Sequence, residues 1–218
     1  MVTSPIAIPI HRIHLSPGSH LLIEAVSWEQ YEALLVELGE DRRIPRINYY
    51  DTILELIAPL PSHERPHRII GYIVTALLDA QDRAWEDFGS TTFKKPQQAG
   101  LEPDTCFYIQ NAGRVRNRQR LDMTTDPPPD LAIESDVTSR TTLGAYVALR
   151  VPEVWVYEMA SLKIYVLQAD GYVESSTSLT FPDIPVVGLI PRLVQQAFQE
   201  GTSKMLRELR QQLSSASE

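Results

Sequence analysis

The sequence predicts an α/β fold in which helices flank a mixed central sheet. An amphipathic helix, three strand-like segments, a short helix and a further strand follow one another along the chain, and this order is typical of such a fold. The 218 residues are enough for one domain with a well-buried core. Hydrophobic residues make up 43% and charged residues 22%, the balance of a folded protein and not of a disordered one.

The first elements follow a proline-rich arm. Residues 1–26 are expected to form an extended N-terminal arm. Ser27 and Gln30 have the spacing of a capping box, and apolar residues at helical spacing follow, which predicts a helix from about 28 to 39. Two β-rich segments, Ile47–Tyr50 and Ile53–Ile57, predict a hairpin.

The central elements begin with a second helix, which should start between Ser62 and Pro66. Its apolar pairs recur every four residues, as on the buried face of an amphipathic helix. Further patterns predict strands at 89–94, 105–109, 131–137 and 154–157, with a short helix over 141–149.

The C-terminal part is predicted to form a hairpin, 163–167 with 172–174, and then a helix from Ile190 onward. We therefore divide the chain into an arm (1–26), a core domain (27–190) and a helical extension (191–218).

Composition restricts the environment and the partners. No apolar run approaches the roughly 20 residues that span a bilayer, and the N-terminus lacks a leader pattern, so we expect a cytoplasmic protein without a membrane partner. The single cysteine, Cys106, lies in an apolar stretch and indicates a buried structural thiol. A net charge of −8 argues against indiscriminate coating of nucleic acid.

One segment is nevertheless strongly basic. Arginines occupy every second position from Arg114 through Arg116 and Arg118 to Arg120. The segment is either a solvated loop or a surface that contacts phosphate groups.

Carboxylates lie at the edges of two apolar, strand-like segments. Glu102 and Asp104 precede one strand, and Glu134 and Asp136 lie along the next. Buried acids need a cation, a hydrogen-bond network or a function, and hard oxygen ligands suit Mg²⁺ or Mn²⁺ better than zinc. The pattern favours a divalent-metal site for phosphodiester cleavage. The alternative is structural, because an acid such as Asp104 at a strand end often forms a turn or a helix cap.

Several ordered segments resemble the Uma-two family of restriction-endonuclease-like proteins, in the PD-(D/E)XK superfamily. The similarity covers roughly residues 25–175 and is carried by GSTTFKK, GLEPDTCFYIQNA, PPPDLAIESDVTSRT and YVALRVPEVWVYE.

The resemblance implies a restriction-endonuclease-like fold with DNA as the substrate. The family's metal-binding acids fall on Asp104 and Glu134, and the backbone carbonyl that follows the second acid belongs to Ser135. Glu64 lies where some members of the superfamily add an acid from the preceding helix. The neighbouring His63 and His67 are expected to be surface or helix-capping residues.

The resemblance also implies a lysine that this chain lacks. Asp136 occupies the usual position, and Thr142 occupies the alternative one, one turn before Tyr146. Lys94 is the nearest substitute, although it also fits an exposed strand end. Arg140 could stabilise phosphate charge but cannot shuttle a proton. Alternatively, Asp136 recruits a second metal, or the chain has lost catalysis.

Two hypotheses from different classes follow. The first is a Mg²⁺-dependent DNA endonuclease in which Asp104 and Glu134 hold the ion, Glu64 or Asp136 assists, and Lys94 positions water or phosphate. The second is a non-catalytic member that keeps the fold as a binding or assembly module. In addition, the apolar segment 151–155 is a candidate surface for a homodimer.

Overall fold

A computed structural model describes residues 9–39, 45–135 and 140–215 of the chain. Within these residues there are six α-helices: α1 (Trp28–Leu38), α2 (Pro61–Ala80), α3 (Ala112–Val115), α4 (Arg140–Leu149), α5 (Val186–Glu200) and α6 (Thr202–Ser215). The same residues contain eleven strands: β1 (His20–Ile23), β2 (Arg46–Tyr50), β3 (Ile53–Ile57), β4 (Glu86–Asp87), β5 (Phe93–Lys95), β6 (Ala99–Leu101), β7 (Thr105–Tyr108), β8 (Leu131–Ser135), β9 (Glu153–Glu158), β10 (Ser161–Gln168) and β11 (Gly171–Ser175).

The strands form two sheets. One has six strands in the order β11-β10-β9-β8-β7-β4, and it is mixed because β8 and β9 run parallel while the other neighbours are antiparallel. The other has five antiparallel strands in the order β1-β3-β2-β6-β5. The predicted α/β fold with a mixed sheet and flanking helices is confirmed, and the second sheet is an addition that the sequence patterns did not predict.

The central strands of the six-stranded sheet are apolar on both faces. Both faces are therefore covered by other elements of the fold. Phe107, Ile133 and Trp155 pack against helices α2 and α5. Cys106 and Ala132, which alternate with them along the strands, pack on the other side with α4 and residues of the five-stranded sheet. Side chains that alternate along a strand thus fill two separate cores.

Helix α4 joins β8 to β9, the crossover that a parallel pair requires, and it packs against β2 and β6 of the other sheet. The contact is close at Gly144, where a Cβ atom would overlap the ring of Tyr50. Glycine therefore lets α4 lie directly on the five-stranded sheet, and both sheets meet around this helix.

The local patterns predicted most elements for good physical reasons. The capping box is present, since the Ser27 side chain accepts from the Gln30 amide and the Gln30 side chain accepts from the Ser27 amide. The β2–β3 hairpin turns at Asp51 and Thr52, both with positive φ, as a type I′ turn requires.

Other expectations were wrong in extent. The strand predicted over 89–94 is only β5, and the short strands β4 and β6 were missed because two or three residues carry no periodicity. The boundary predicted between residues 190 and 191 falls inside α5.

The segment 151–155 is not a surface for a homodimer. Val151, Val154 and Trp155 are buried, because β9 lies between β8 and β10 inside the sheet.

Cys106 is buried, as expected of a structural cysteine. Desolvation raises the pKa of its thiol, which makes the thiol less reactive. Among the described helices, none is long and apolar enough to cross a membrane.

Candidate active site

Asp104 and Glu134 meet at one end of the antiparallel pair β7–β8. Thr105 pairs with Ile133, so Asp104 just before β7 lies beside the last residues of β8. The Ser135 amide donates a hydrogen bond to Asp104 Oδ2 at 2.6 Å. Both acids are buried and line one pocket with a volume of about 130 Å³. The structure thus brings together the two acids that the sequence singled out.

The carboxyl group of Glu134 is harder to ionise than that of an ordinary glutamate. Burial raises the pKa of Glu134 to about 7, with a further upward contribution from the negative charge of Glu55. Two neighbours act in the opposite direction: Tyr146 donates a short hydrogen bond from its hydroxyl, and the guanidinium of Arg46 lies nearby. The raised pKa therefore reflects mainly the removal of this carboxyl group from water.

Arg46, at the start of β2, is the main cation of the pocket. Its guanidinium forms an ion pair with Asp104 through Nη1 and donates from Nη2 to Glu64 Oε1 at 2.6 Å. Its side chain is only 13% exposed. This residue was missed in the sequence, where a lone arginine before an apolar strand carries no distinct signal. It connects Glu64 of α2 with Asp104, so the predicted helix acid does belong to the pocket.

Glu55 is a third buried acid in the same pocket. Its Oε2 accepts from Asn48 Nδ2 at 3.0 Å and from Thr142 Oγ1 at 2.8 Å, and its Oε1 contacts His20 Nε2. Thr142, one of the two positions where the lysine is missing, therefore holds a carboxylate in place. The sequence did carry a signal for Glu55, since it is the single acid within the apolar strand ILELI.

Two further residues occupy positions different from those expected. Glu102 accepts hydrogen bonds from the Ile47 amide at 3.1 Å and from Thr92 Oγ1 at 2.8 Å, so it joins the end of β6 to β2. His67 was expected at the surface, but it is buried, with Nδ1 3.7 Å from Asp104 Oδ2 and Nε2 3.7 Å from Glu64 Oε2. It lies in the second turn of α2 and points inward because α2 packs against the sheet.

The structure does not bring Lys94 to the acids. Its Nζ lies 2.8 Å from Glu32 Oε1 on α1, because β5 belongs to the five-stranded sheet and not to the sheet of Asp104 and Glu134. Asp136 lies outside the described residues, and so do the side chains of His63 and Arg140.

The arginine-rich segment lies away from the acids. It follows the end of β7 opposite to Asp104, where α3 begins. Arg116 pairs with Glu86 at 2.7 Å and Arg118 with Asp126 at 3.3 Å, while Arg114 is exposed. Any contact of this segment with phosphate would therefore be remote from the pocket.

The donor set fits a small divalent cation. In the described parts of the chain, no three His, Cys, Asp or Glu side chains are grouped to hold a metal ion by themselves. Mg²⁺ commonly takes only one or two carboxylates and keeps several waters, and each carboxylate oxygen can accept more than one contact. Asp104 and Glu134, with the backbone carbonyl of Ser135, supply hard oxygen donors, and a bound cation would stabilise the ionised form of the buried Glu134.

A wider groove is continuous with the pocket. Arg46, Glu64 and Asp104 line both cavities, and the groove extends along the exposed side of α2. There it is lined by Arg68 and by Tyr72, which is 50% exposed. An arginine and an exposed aromatic ring thus lie along a groove that leads to the buried acids.

Comparisons with known proteins give one family and a structural neighbour. A family model described as "Putative restriction endonuclease" matches residues 28–195. A crystal structure of a putative nuclease belonging to DUF820 from Anabaena variabilis ATCC 29413 is 16% identical, with 83% of this chain and 99% of that chain covered and a TM-score of 0.47. No curated protein matches the chain.

Proposed function

The chain belongs to the Uma2 family, and from this membership and the pocket we propose a metal-dependent nuclease of the PD-(D/E)XK type that hydrolyses phosphodiester bonds of DNA. The observation that carries the proposal is the meeting of two buried carboxylates, Asp104 and Glu134, from neighbouring strands in one pocket. We expect the reaction to take place in the cytoplasm.

Asp104, Glu134 and the carbonyl of Ser135 are the residues that would hold Mg²⁺ or Mn²⁺. When bound, such an ion polarises a phosphoryl oxygen and lowers the pKa of a water molecule. The surrounding residues prepare the two acids for this task. Tyr146 fixes one oxygen of Glu134, and the Ser135 amide fixes one oxygen of Asp104.

Arg46 has a second task in this proposal. A guanidinium has five donors and cannot lose its proton, so it suits the stabilisation of charge on a phosphate group. Arg46 lies where the pocket opens into the wider groove, since it lines both cavities. It can therefore turn from the carboxylates toward a phosphate that enters the pocket.

The groove along α2 supports a nucleic-acid substrate. Arg68 offers a cation for the backbone, and Tyr72 offers an exposed ring on which a base can stack. Local arginines of this kind are compatible with the net charge of −8, because phosphate contacts depend on the charge near the site.

A cleavage assay tests the proposal. Supercoiled and linear DNA are incubated with the wild type in Mg²⁺ or Mn²⁺, alongside Asp104→Asn and Glu134→Gln. Asp170→Asn is the matched control, because Asp170 is an exposed acid in the turn between β10 and β11. We expect cleavage by the wild type and the control only. Cleavage that survives both pocket substitutions contradicts the assignment.

A second candidate function has one specific observation in its favour. Arg46 already pairs with both Glu64 and Asp104, and such pairing is how a binding or assembly module would keep Asp104 buried without a metal. Calorimetry separates the two functions. A stable fold that binds neither Mg²⁺ nor Mn²⁺ in the millimolar range favours the non-catalytic module.

A further inference from the structure

The pocket contains a nitrogen base that the proposed function has not yet used. Among the described residues that line it, the nitrogen-bearing ionisable side chains are Arg46 and His20. Arginine stays protonated at any pH at which the protein is folded, so it cannot accept a proton. Histidine can, because its neutral ring has one nitrogen with a free lone pair near neutral pH. His20 is thus the candidate base among these side chains, apart from the carboxylates.

His20 is held by a buried carboxylate. It begins β1 and pairs in register with Ile57, while Leu22 two residues later pairs with Glu55, so the His20 ring lies alongside Glu55. Its Nε2 contacts Glu55 Oε1. The imidazole is 33% exposed and the Glu55 side chain 1% exposed. A carboxylate behind an accessible imidazole fixes both the ring orientation and the tautomer.

The other oxygen of Glu55 is also fixed. Asn48 Nδ2 and Thr142 Oγ1 both donate to Oε2, and Asn48 Nδ2 lies 3.2 Å from Thr142 Oγ1 as well. Asn48 comes from β2 and Thr142 from α4, so elements on two sides of the pocket hold one carboxylate. This network holds Glu55 in place, and His20 is the partner that adds an accessible ring.

We propose that His20 is a catalytic residue of this reaction, acting as the general base, and that Glu55 is its positioning residue. The inference rests on the proposed nuclease function. Nε2–H donates to Glu55, which leaves Nδ1 to accept a proton from the attacking water. The water oxygen forms the new bond to phosphorus, and the ester P–O bond breaks. The departing alkoxide takes a proton from solvent, and His20 then releases its proton to solvent, which restores the base.

The experiment measures kcat and KM for DNA cleavage in Mg²⁺ with four proteins: the wild type, His20→Gln, Glu55→Gln and the control His14→Gln. His14 is exposed and is not among the residues lining the pocket. Circular dichroism confirms folding. We expect His20→Gln to lower kcat by about 10²- to 10⁴-fold, the usual contribution of a general base. Glu55→Gln lowers kcat less, with KM unchanged, and His14→Gln matches the wild type.

Chemical rescue distinguishes catalysis from a structural role. Added imidazole is expected to accelerate His20→Gly but not Glu55→Gln, because only the first variant has lost the base itself. A His20→Gln variant as active as the wild type overturns this inference and leaves the nuclease function intact. So does a His20→Gly variant that is folded, inactive and not rescued. A wild type that cleaves no DNA overturns both.

Discussion

Arg46 and Asp104 form an ion pair inside the protein, with side chains only 13% and 6% exposed. Each charge stabilises the other, because a single unpaired charge is strongly disfavoured in this buried environment. The pocket therefore has a built-in cation beside the acids to which we assign a metal ion. This relationship makes stability and metal binding measurable on the same residues.

Replacing Arg46 should destabilise the protein. Arg46→Met leaves Asp104 buried without its partner, a change that costs about 3–5 kcal/mol of unfolding free energy. Urea denaturation in EDTA measures it. Arg210→Met is the control, since Arg210 is exposed on α6 and its loss should change stability by less than about 0.5 kcal/mol. The Arg46→Met, Asp104→Asn double variant should recover much of the loss. Equal stability of Arg46→Met and Arg210→Met would contradict the importance of the pair.

Mg²⁺ should compensate for the missing guanidinium. In Arg46→Met, a divalent ion at Asp104 and Glu134 restores the lost charge balance and raises the midpoint of thermal unfolding. The expected rise is larger than that of the wild type, where Arg46 competes for Asp104. Thermal melts at a series of Mg²⁺ concentrations, and in its absence, check this. A rise that is equal in both proteins would place the ion elsewhere.

The raised pKa of Glu134 predicts that the stability of the metal-free protein depends on pH. The folded pKa is about 7 against an ordinary value of 4.5, so the folded state binds more protons between these two values. Stability from this group is therefore present at low pH and is lost as pH rises from about 4.5 to about 7. Denaturation in EDTA from about pH 5 to about pH 8.5 should show this fall in the wild type.

Glu134→Gln isolates the contribution of this carboxyl. The amide cannot ionise and can still accept from Tyr146, so the variant should be more stable than the wild type at about pH 8. The difference should shrink toward about pH 5. A difference that stays constant with pH would mean that Glu134 does not titrate in this range.

Gly144 should be intolerant of a side chain. Gly144→Ala places a Cβ against the ring of Tyr50, and overpacking of this kind costs about 1–3 kcal/mol. Gly188→Ala is the matched control, because Gly188 is also helical and its Cβ would meet nothing within 4 Å. That substitution should stabilise by about 0.5–1 kcal/mol. Thermal melts measure both, and a Gly144→Ala protein as stable as Gly188→Ala would exclude the close contact of α4 with β2.

If DNA lies in the groove along α2, the cations that line this groove contribute to the affinity for DNA. Arg68→Ala should weaken DNA binding. It should also lower, by about one, the slope of log affinity against log salt concentration. Arg118→Ala serves as the control, because Arg118 lies beyond the opposite end of β7 and pairs with Asp126. Fluorescence anisotropy in Ca²⁺ or EDTA at several salt concentrations measures both. Loss of affinity in Arg118→Ala alone would move the binding surface to the arginine-rich segment.

Part of the site could be predicted because its signal is local. Asp104 and Glu134 each border an apolar strand, and the two strands are neighbours, so the pattern placed both acids correctly at one sheet end. Arg46 and His20 could not be predicted in this way. Their partners, Asp104 and Glu55, lie 58 and 35 positions away along the chain, and only the pairing of strands brings them close.

The position predicted for Lys94, close to the acids, was wrong. It was placed near the acids because it is close to them in sequence, but three residues of β5 join the five-stranded sheet and direct its ammonium to Glu32. Thr142 is a more informative case. Its position in α4 was identified as lacking a lysine, and the structure gives it a role in holding Glu55.

Strand β1 has a consequence for how the molecule avoids self-association. It covers the edge of β3 and pairs with the segment Leu54–Ile57, and it precedes residue 28, where the match to the family model begins. A shortened chain that starts at that residue would expose the backbone donors and acceptors of an apolar edge strand. Such an edge recruits strands from other molecules. With β1 in place, the edge of this sheet is a strand of four residues instead of the five residues of β3, and a short edge strand offers fewer pairing groups.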